Sequence, residues 1–384
     1  MKVCGIIAEY DPFHRGHLYH LNQAREQSRA DYMVCVLGCA FSQRGDAMLF
    51  DSFARAKMAL DNGFDLVLGM PVSFSCAQAT RFARGGVGIL NSLVVITHLS
   101  FGSESARLNH LSAAARMLNH PDEVFTQALK QGLEDGASFA KAQGQALSAA
   151  LPDLPERLLS SPNFILGVSY LRELDSLGSG ITPLPIARAG SYHSKAAGPL
   201  ASASAVRAKL LADPGANLEA ECPDASRAVI NKAARHLPDA LDKVLLAGLL
   251  GKTGQELCQY SEMSEGLEDR ILAQARKAKT REELISLVKT KRYPYARINR
   301  ALSQALLDMR HLEITPEYAR LLGMRKRAKQ LLKAMDQSGF SLVSRPARSK
   351  LPGIEQDMRA EELWRIGAGQ SAQEAWKRNV IVID

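Results

Sequence analysis

Hydrophobic and polar positions alternate in blocks along the first part of the chain. Val3-Cys4-Gly5-Ile6-Ile7-Ala8 is a short apolar run of the kind that a strand buried on both faces requires. A polar segment follows, then Gly16–Ser28, where Leu18, Leu21 and Ala24 recur at helical spacing. Tyr32–Leu37 is a second strand. Asp51–Asn62 reads as a helix, with Asp51 or Ser52 as its N-cap and Asn62-Gly63 as its stop. Asp65–Leu68 is a third strand ended by Pro71, residues 77–92 are helical, and Leu93–Phe101 is a fourth strand running into Gly102-Ser103-Glu104. This alternation predicts an α/β fold on a doubly wound parallel sheet.

From 104 to 176 the pattern is helical, with loops near 119–122 and 152–162. Ile181–Ile186 is a further strand, Arg188–Ser191 a loop, and Ser202–Leu211 a helix. Asp213-Pro214-Gly215 then punctuates the chain. We read residues 1–212 as a nucleotide-binding catalytic domain and 213–384 as a mainly α-helical domain. The second is helical to about residue 335 and then mixed, with Asn379–Ile383 as an edge strand. A length of 384 residues exceeds what one core usually organises, which fits two domains.

The composition, 46% apolar and 23% charged, is that of a globular protein. No apolar run approaches the roughly 18 residues that cross a bilayer, and the N-terminus lacks the pattern of a signal peptide. A cytoplasmic location and no membrane partner are therefore expected. Cys4, Cys35, Cys39, Cys76, Cys222 and Cys258 form no CxxC pair and no Cys/His metal spacing. They read as reduced thiols, and no metal-ligand set is predicted.

Charge adds a second theme. The net charge of +8 is concentrated: residues 281–350 hold 16 Lys and Arg against 6 Asp and Glu, while the rest holds 32 against 34. Such asymmetry suits a polyanionic partner. Within it, Lys291-Arg292-Tyr293-Pro294-Tyr295-Ala296-Arg297-Ile298-Asn299-Arg300 interleaves cations with aromatics, as RNA binding uses. Lys291, Arg292, Tyr293, Arg297 and Arg300 are its candidate contacts, and Arg325-Lys326-Arg327 with Lys329 would extend the patch; the plainer alternative is a solvated helix face. Gly248–Thr253 imitates a P-loop but lacks the required glycine, which is Leu246 here, and a preceding strand.

Two segments carry the chemistry. His14-x-Gly16-His17 stands where the first strand ends and the first helix begins, the position of a phosphate site in an α/β sheet. Two imidazoles separated by a glycine can face one anion and offset charge growing on a leaving pyrophosphate. Ser202-Ala203-Ser204-Ala205-Val206-Arg207 places hydroxyls at a helix start with an arginine one turn in, a second phosphate cradle that alone could be an ordinary N-cap. The pair resembles the HxGH nucleotidyltransferase superfamily.

More specifically, the chain resembles the tRNA(Met) cytidine acetate ligase family of bacteria. The resemblance is collinear over most of its length. It runs through Glu9-Tyr10-Asp11-Pro12-Phe13-His14-x-Gly16-His17, Gln43-Arg44-Gly45-Asp46, Phe53-Ala54-Arg55-Ala56, Phe101-Gly102-Ser103-Glu104 and Pro162-Asn163-x-x-Leu166-Gly167. It continues through Arg188-x-Gly190-x-Tyr192-His193, the Ser202–Arg207 segment, Lys291-Arg292-Tyr293 and Tyr318-x-Arg320-x-Leu322-Gly323. The resemblance implies activation of acetate by ATP, accompanied by Mg²⁺, to acetyl-adenylate. The acetyl group then passes to N4 of the wobble cytidine in the anticodon arm of elongator tRNA(Met), with no role for DNA. It implies an ATP site made of Ile7, Ala8, Glu9, Phe13, His14, Gly16, His17, His20, Gly102, Asn163 and Arg188, to which Ser204 and Arg207 add the second cradle. His14 and His17 would be the catalytic pair.

The chain departs from the family pattern at Gly38-Cys39-Ala40, where Ser-Gly-Asn is usual, at Gly69-Met70-Pro71, where Glu-Leu-Pro is usual, and at Thr80-Arg81, where an acidic residue is expected. Two alternatives stand beside the ligase: a metabolite adenylyltransferase that does not act on RNA, and a non-catalytic RNA-binding protein with a relic ATP fold.

Overall fold

The computed structural model describes residues 1–187, 201–310 and 314–384. Its centre is a sheet of eight strands, β1 (Val3–Ala8), β2 (Tyr32–Gly38), β3 (Leu66–Met70), β4 (His98–Ser103), β5 (Thr182–Ala187), β6 (Tyr318–Arg325), β7 (Ser341–Val343) and β8 (Ile381–Ile383). The order is β5-β4-β1-β2-β3-β6-β7, with β8 also on β6. Strands β1 to β5 are mutually parallel. Strand order reverses beside β1, where an open α/β sheet leaves a crevice at its carboxyl ends.

Both faces of the sheet are covered, which is why β1 to β3 are apolar at nearly every position. Val3, Ile7, Val34, Val36, Leu66 and Leu68 face one core, closed by the helices Ala79–Ser92 and Pro162–Ser176. Cys4, Ile6, Met33, Cys35, Leu37 and Val67 face the other. That side is closed by α1 (Arg15–Ser28), α2 (Ser52–Asp61) and the helix Ala203–Ala212. A third core joins the C-terminal helices, from Leu241 to Trp364, to Ala40, Phe41, Val72 and Cys76, which follow β2 and β3. The helical region therefore sits over the carboxyl ends of the strands.

One stretch corrects the expectation of continuous helix to residue 335. Tyr318–Arg325 is strand β6, antiparallel to β3, with Leu66 opposite Met324 and Gly69 opposite Arg320. Its apolar content reads as helix in isolation, and the unpaired edge of β3 makes it a strand. Arg320, mid-strand, is buried and paired with Glu361 at 3.1 Å. The Asn379–Ile383 expectation holds in β8.

Candidate nucleotide and acyl-transfer site

At the carboxyl ends of β1 and β4 lies a cavity of about 1140 Å³. His14 is the N-cap of α1, and its Nδ1 accepts from the Gly16 N–H at 3.0 Å. His17 Nδ1 accepts from the His14 N–H at 3.3 Å. Both rings thus have Nδ1 occupied as an acceptor, so each neutral ring carries its proton on Nε2. The rings stack with centroids 3.6 Å apart. An anion here would meet two imidazoles at the positive end of α1, whose first N–H groups are themselves held by His14 and by the Glu221 carbonyl. His20 Nε2 lies 3.0 Å from Ser100 Oγ on β4, which fixes the far end of the same helix face.

The surrounding elements are tied together by groups in and beneath the cavity wall. Asp11 is buried, and its carboxylate accepts from Leu49 N–H at 2.8 Å and Phe50 N–H at 3.0 Å. Arg207 donates to the Asp11 carbonyl at 2.7 Å and to Ser204 Oγ at 3.3 Å, so the second cradle is docked on the first. Glu9 Oε1 accepts from Gln43 N–H at 2.7 Å. Its pKa is raised, chiefly by burial, against the pull of that N–H and of Arg207 and Arg55. Arg55 is fully buried and donates to the carbonyls of Phe50, Glu9, Gly38 and Cys39, pinning the ends of β1 and β2.

Ile7, Ala8, Glu9, His14, Gly16, His17, His20, Gly102, Asn163, Ser204 and Arg207 all line this cavity. Phe13 does not: it is fully buried beneath, edge-on to Tyr10 at 4.8 Å. Arg188 lies outside the described residues. The Asn163 amide donates to Glu104 Oε1 at 2.7 Å, while Glu104 Oε2 accepts from Phe164 N–H at 2.9 Å. The Phe-Gly-Ser-Glu element thus caps the Pro162–Ser176 helix and presents its start to the site.

The basic candidates separate. Arg300 is buried against Glu262 at 2.6 Å, and Tyr293 is buried with its hydroxyl on the Glu265 carbonyl at 2.5 Å. Arg297 pairs with Glu265 at 2.9 Å. Lys291 and Arg292 remain exposed, ahead of the helix Tyr295–Leu307. Arg325 and Arg327 do not extend this patch. Arg325 donates to the Phe64 and Leu60 carbonyls and Arg327 grips Asp65 at 2.6 Å, at the amino ends of the strands and away from the cavity.

Sequence reasoning passed over Arg55, Asp11 and Arg281 as site residues. Arg281 lines the cavity and donates to Gly45 O, Asn299 Oδ1 and Ser303 Oγ at 2.6–3.0 Å. The available signal was Gln43-Arg44-Gly45-Asp46: Gly45 has φ +97°, and a Cβ there would lie 2.7 Å from the Arg300 nitrogen. The departures at Gly38–Ala40, Gly69–Pro71 and Thr80-Arg81 are not among the cavity-lining residues. Two of them meet, since a Cβ on Gly69 would lie 2.8 Å from Cys39 Sγ. Among the described residues no group of three or more His, Cys, Asp or Glu could hold a metal ion.

The model of the HIGH Nucleotidyl Transferase family matches residues 1–379. A tRNA(Met) cytidine acetate ligase of Thermoanaerobacter sp. (strain X514) is 33% identical over 97% of both chains. The one from Bacillus subtilis (strain 168) is 34% identical over 95% of this chain and 92% of its own. The crystal structure of Thermotoga maritima TmcAL bound with alpha-thio ATP superposes with a TM-score of 0.89 at 28% identity, over the whole of both chains.

Proposed function

Because the chain belongs to the HIGH nucleotidyl transferase family, among the tRNA(Met) cytidine acetate ligases, we propose that it is an ATP-dependent ligase that acetylates N4 of the wobble cytidine of elongator tRNA(Met). In this reading acetate attacks the α-phosphate of ATP and pyrophosphate leaves. The cytidine amine then attacks the acyl carbon of acetyl-adenylate and AMP leaves. The observation that carries it is the stacked His14–His17 pair, with Nδ1 of each ring held as an acceptor at the start of α1. Their Nε2 protons, with Arg207, are suited to charge that builds on the departing pyrophosphate. Positioning in the cavity supplies the rest, without a covalent enzyme intermediate.

Mg²⁺, where it accompanies the phosphates of ATP, would supply further neutralisation of the charge on the departing pyrophosphate. Lys291 and Arg292 meet the anticodon arm through its phosphates. An unpaired anticodon loop lowers the cost of turning the cytosine into the cavity. The test is incubation of tRNA with ATP and isotope-labelled acetate, followed by nucleoside mass spectrometry. Labelled N4-acetylcytidine in tRNA(Met), reduced about 100-fold or more in His17→Ala, is the expected result. Wild-type protein that labels no tRNA overturns the reading.

A further inference from the structure

The cavity is larger than the roughly 300–1,000 Å³ typical of a single small-molecule site, and it has two ends. One is the histidine end. The other is walled by the loop Phe41–Leu49, by Leu241 and Asp242, and by Arg281. The two ends share the Gln43–Asp46 loop: Gln43 N–H donates to Glu9 on the histidine side, and Gly45 O accepts from Arg281 on the other.

At this second end a donor and an acceptor both line the cavity. Arg281 has its Nε and Nη2 fixed by Asn299, Ser303 and Gly45, and no partner is found for Nη1 among the described residues. Asp242 is buried at 7% exposure, and its Oδ2 accepts from the Arg281 backbone N–H at 3.1 Å, which leaves Oδ1 without a partner among the described residues. His236, buried at 3% and also lining the cavity, has no hydrogen-bond partner for either ring nitrogen among the described residues. A polar wall of this kind, held rigid from behind and unsatisfied in front, is a recognition surface.

We propose that Arg281 and Asp242 read the acceptor base: Asp242 accepts from the exocyclic amine of an unstacked cytosine, and the Arg281 guanidinium donates to the ring N3 and O2 acceptors beside it. This rests on the ligase reading above and deepens it. The Watson–Crick edge of cytosine runs donor, acceptor, acceptor, and the pair supplies the complementary acceptor and donor. Uracil places a carbonyl opposite Asp242, which leaves two acceptors face to face. Pairing the amine with Asp242 also holds the nucleophilic nitrogen at the cavity end that shares a loop with the histidine end. Both residues are positioning and specificity residues in this scheme.

The experiment splits the two half-reactions. Acetate-dependent ATP–pyrophosphate exchange reports activation alone, and N4-acetylcytidine formation on a tRNA(Met) transcript reports the sum. Asp242→Asn is close to isosteric. It is expected to keep exchange within about two-fold, which also shows that it folds, while transfer falls about 10- to 100-fold, the usual loss for one base-edge contact. Binding to wild-type protein should weaken by about ten-fold or more when the transcript carries uridine in place of the wobble cytidine, and Asp242→Asn should narrow that gap. The transcript comparison uses wild-type protein and stands even if the variant does not fold. Undiminished transfer by Asp242→Asn, or equal binding of the two transcripts by wild-type protein, overturns the inference and leaves the ligase reading intact. Wild-type protein that neither exchanges pyrophosphate nor forms acetylcytidine overturns both.

Discussion

The His14 ring folds back over Gly16: a Cβ on that glycine would lie 2.9 Å from His14 Cε1. The glycine therefore seats an imidazole, a more local role than letting backbone approach a phosphate. Gly16→Ala should displace the ring and lower pyrophosphate exchange by about ten-fold or more. Stability should barely fall, because alanine is the better helix former by about 1 kcal/mol; exchange assays and thermal melts check the two halves. Gly69 gives a second residue-scale expectation. Gly69→Ala alone should cost about 1–3 kcal/mol, because the added carbon meets Cys39 Sγ. Combining it with Cys39→Gly should recover part of that loss, a coupling that a double-mutant cycle in urea measures. The sequence displayed both departures but not that they touch, since residues 39 and 69 meet only across neighbouring strands.

At the scale of elements, β1 to β5 and the helices between them were legible because their periodicity is decided locally: apolar runs between Gly, Pro and Asn punctuation. The C-terminal elements were less so. Tyr318–Arg325 is a strand because β3 offers an edge, and nothing within eight residues announces a partner two hundred and fifty positions away. Buried arginines misled in the same way. Arg300 reads as an RNA contact, and Arg55 and Arg320 appear only as motif positions without a role, yet each is buried against carbonyls or a carboxylate. Arg55 makes the strongest case, since its guanidinium joins the ends of two strands and the loops after them. Removing it strands four carbonyl acceptors, so Arg55→Ala should destabilise by about 3–5 kcal/mol in chemical denaturation.

At the scale of the whole molecule, the basic character divides into two ends. Lys291 and Arg292 precede the helix whose Asn299 and Ser303 hold the cavity loop, while Lys329 follows Arg327 at the opposite end of the sheet. Charge reversal at Lys291 and Arg292 should weaken tRNA binding and flatten its salt dependence, whereas Lys329→Glu should leave both near wild type in a filter-binding titration. The thiols give a global check on burial. Burial pushes Cys4 up to about 11 and Cys39, Cys76 and Cys222 up to about 12, and raises Cys35 as well. Cys258 is the exposed one. One thiol should react with a disulfide reagent at neutral pH in the native protein, and all six after denaturation.

Strand β6 has a consequence for how the chain is made. The edge of β3 is complete by residue 70, yet the strand that covers it ends at Arg325. During synthesis at about 5–20 residues per second, that edge emerges tens of seconds before its cover. The nascent protein carries an open, apolar strand for that interval, which is a template for pairing with other chains. The C-terminal region thus also acts as the last stave of the sheet. A chain stopped near residue 212 should collect in the insoluble fraction, and one extended through β8 should not.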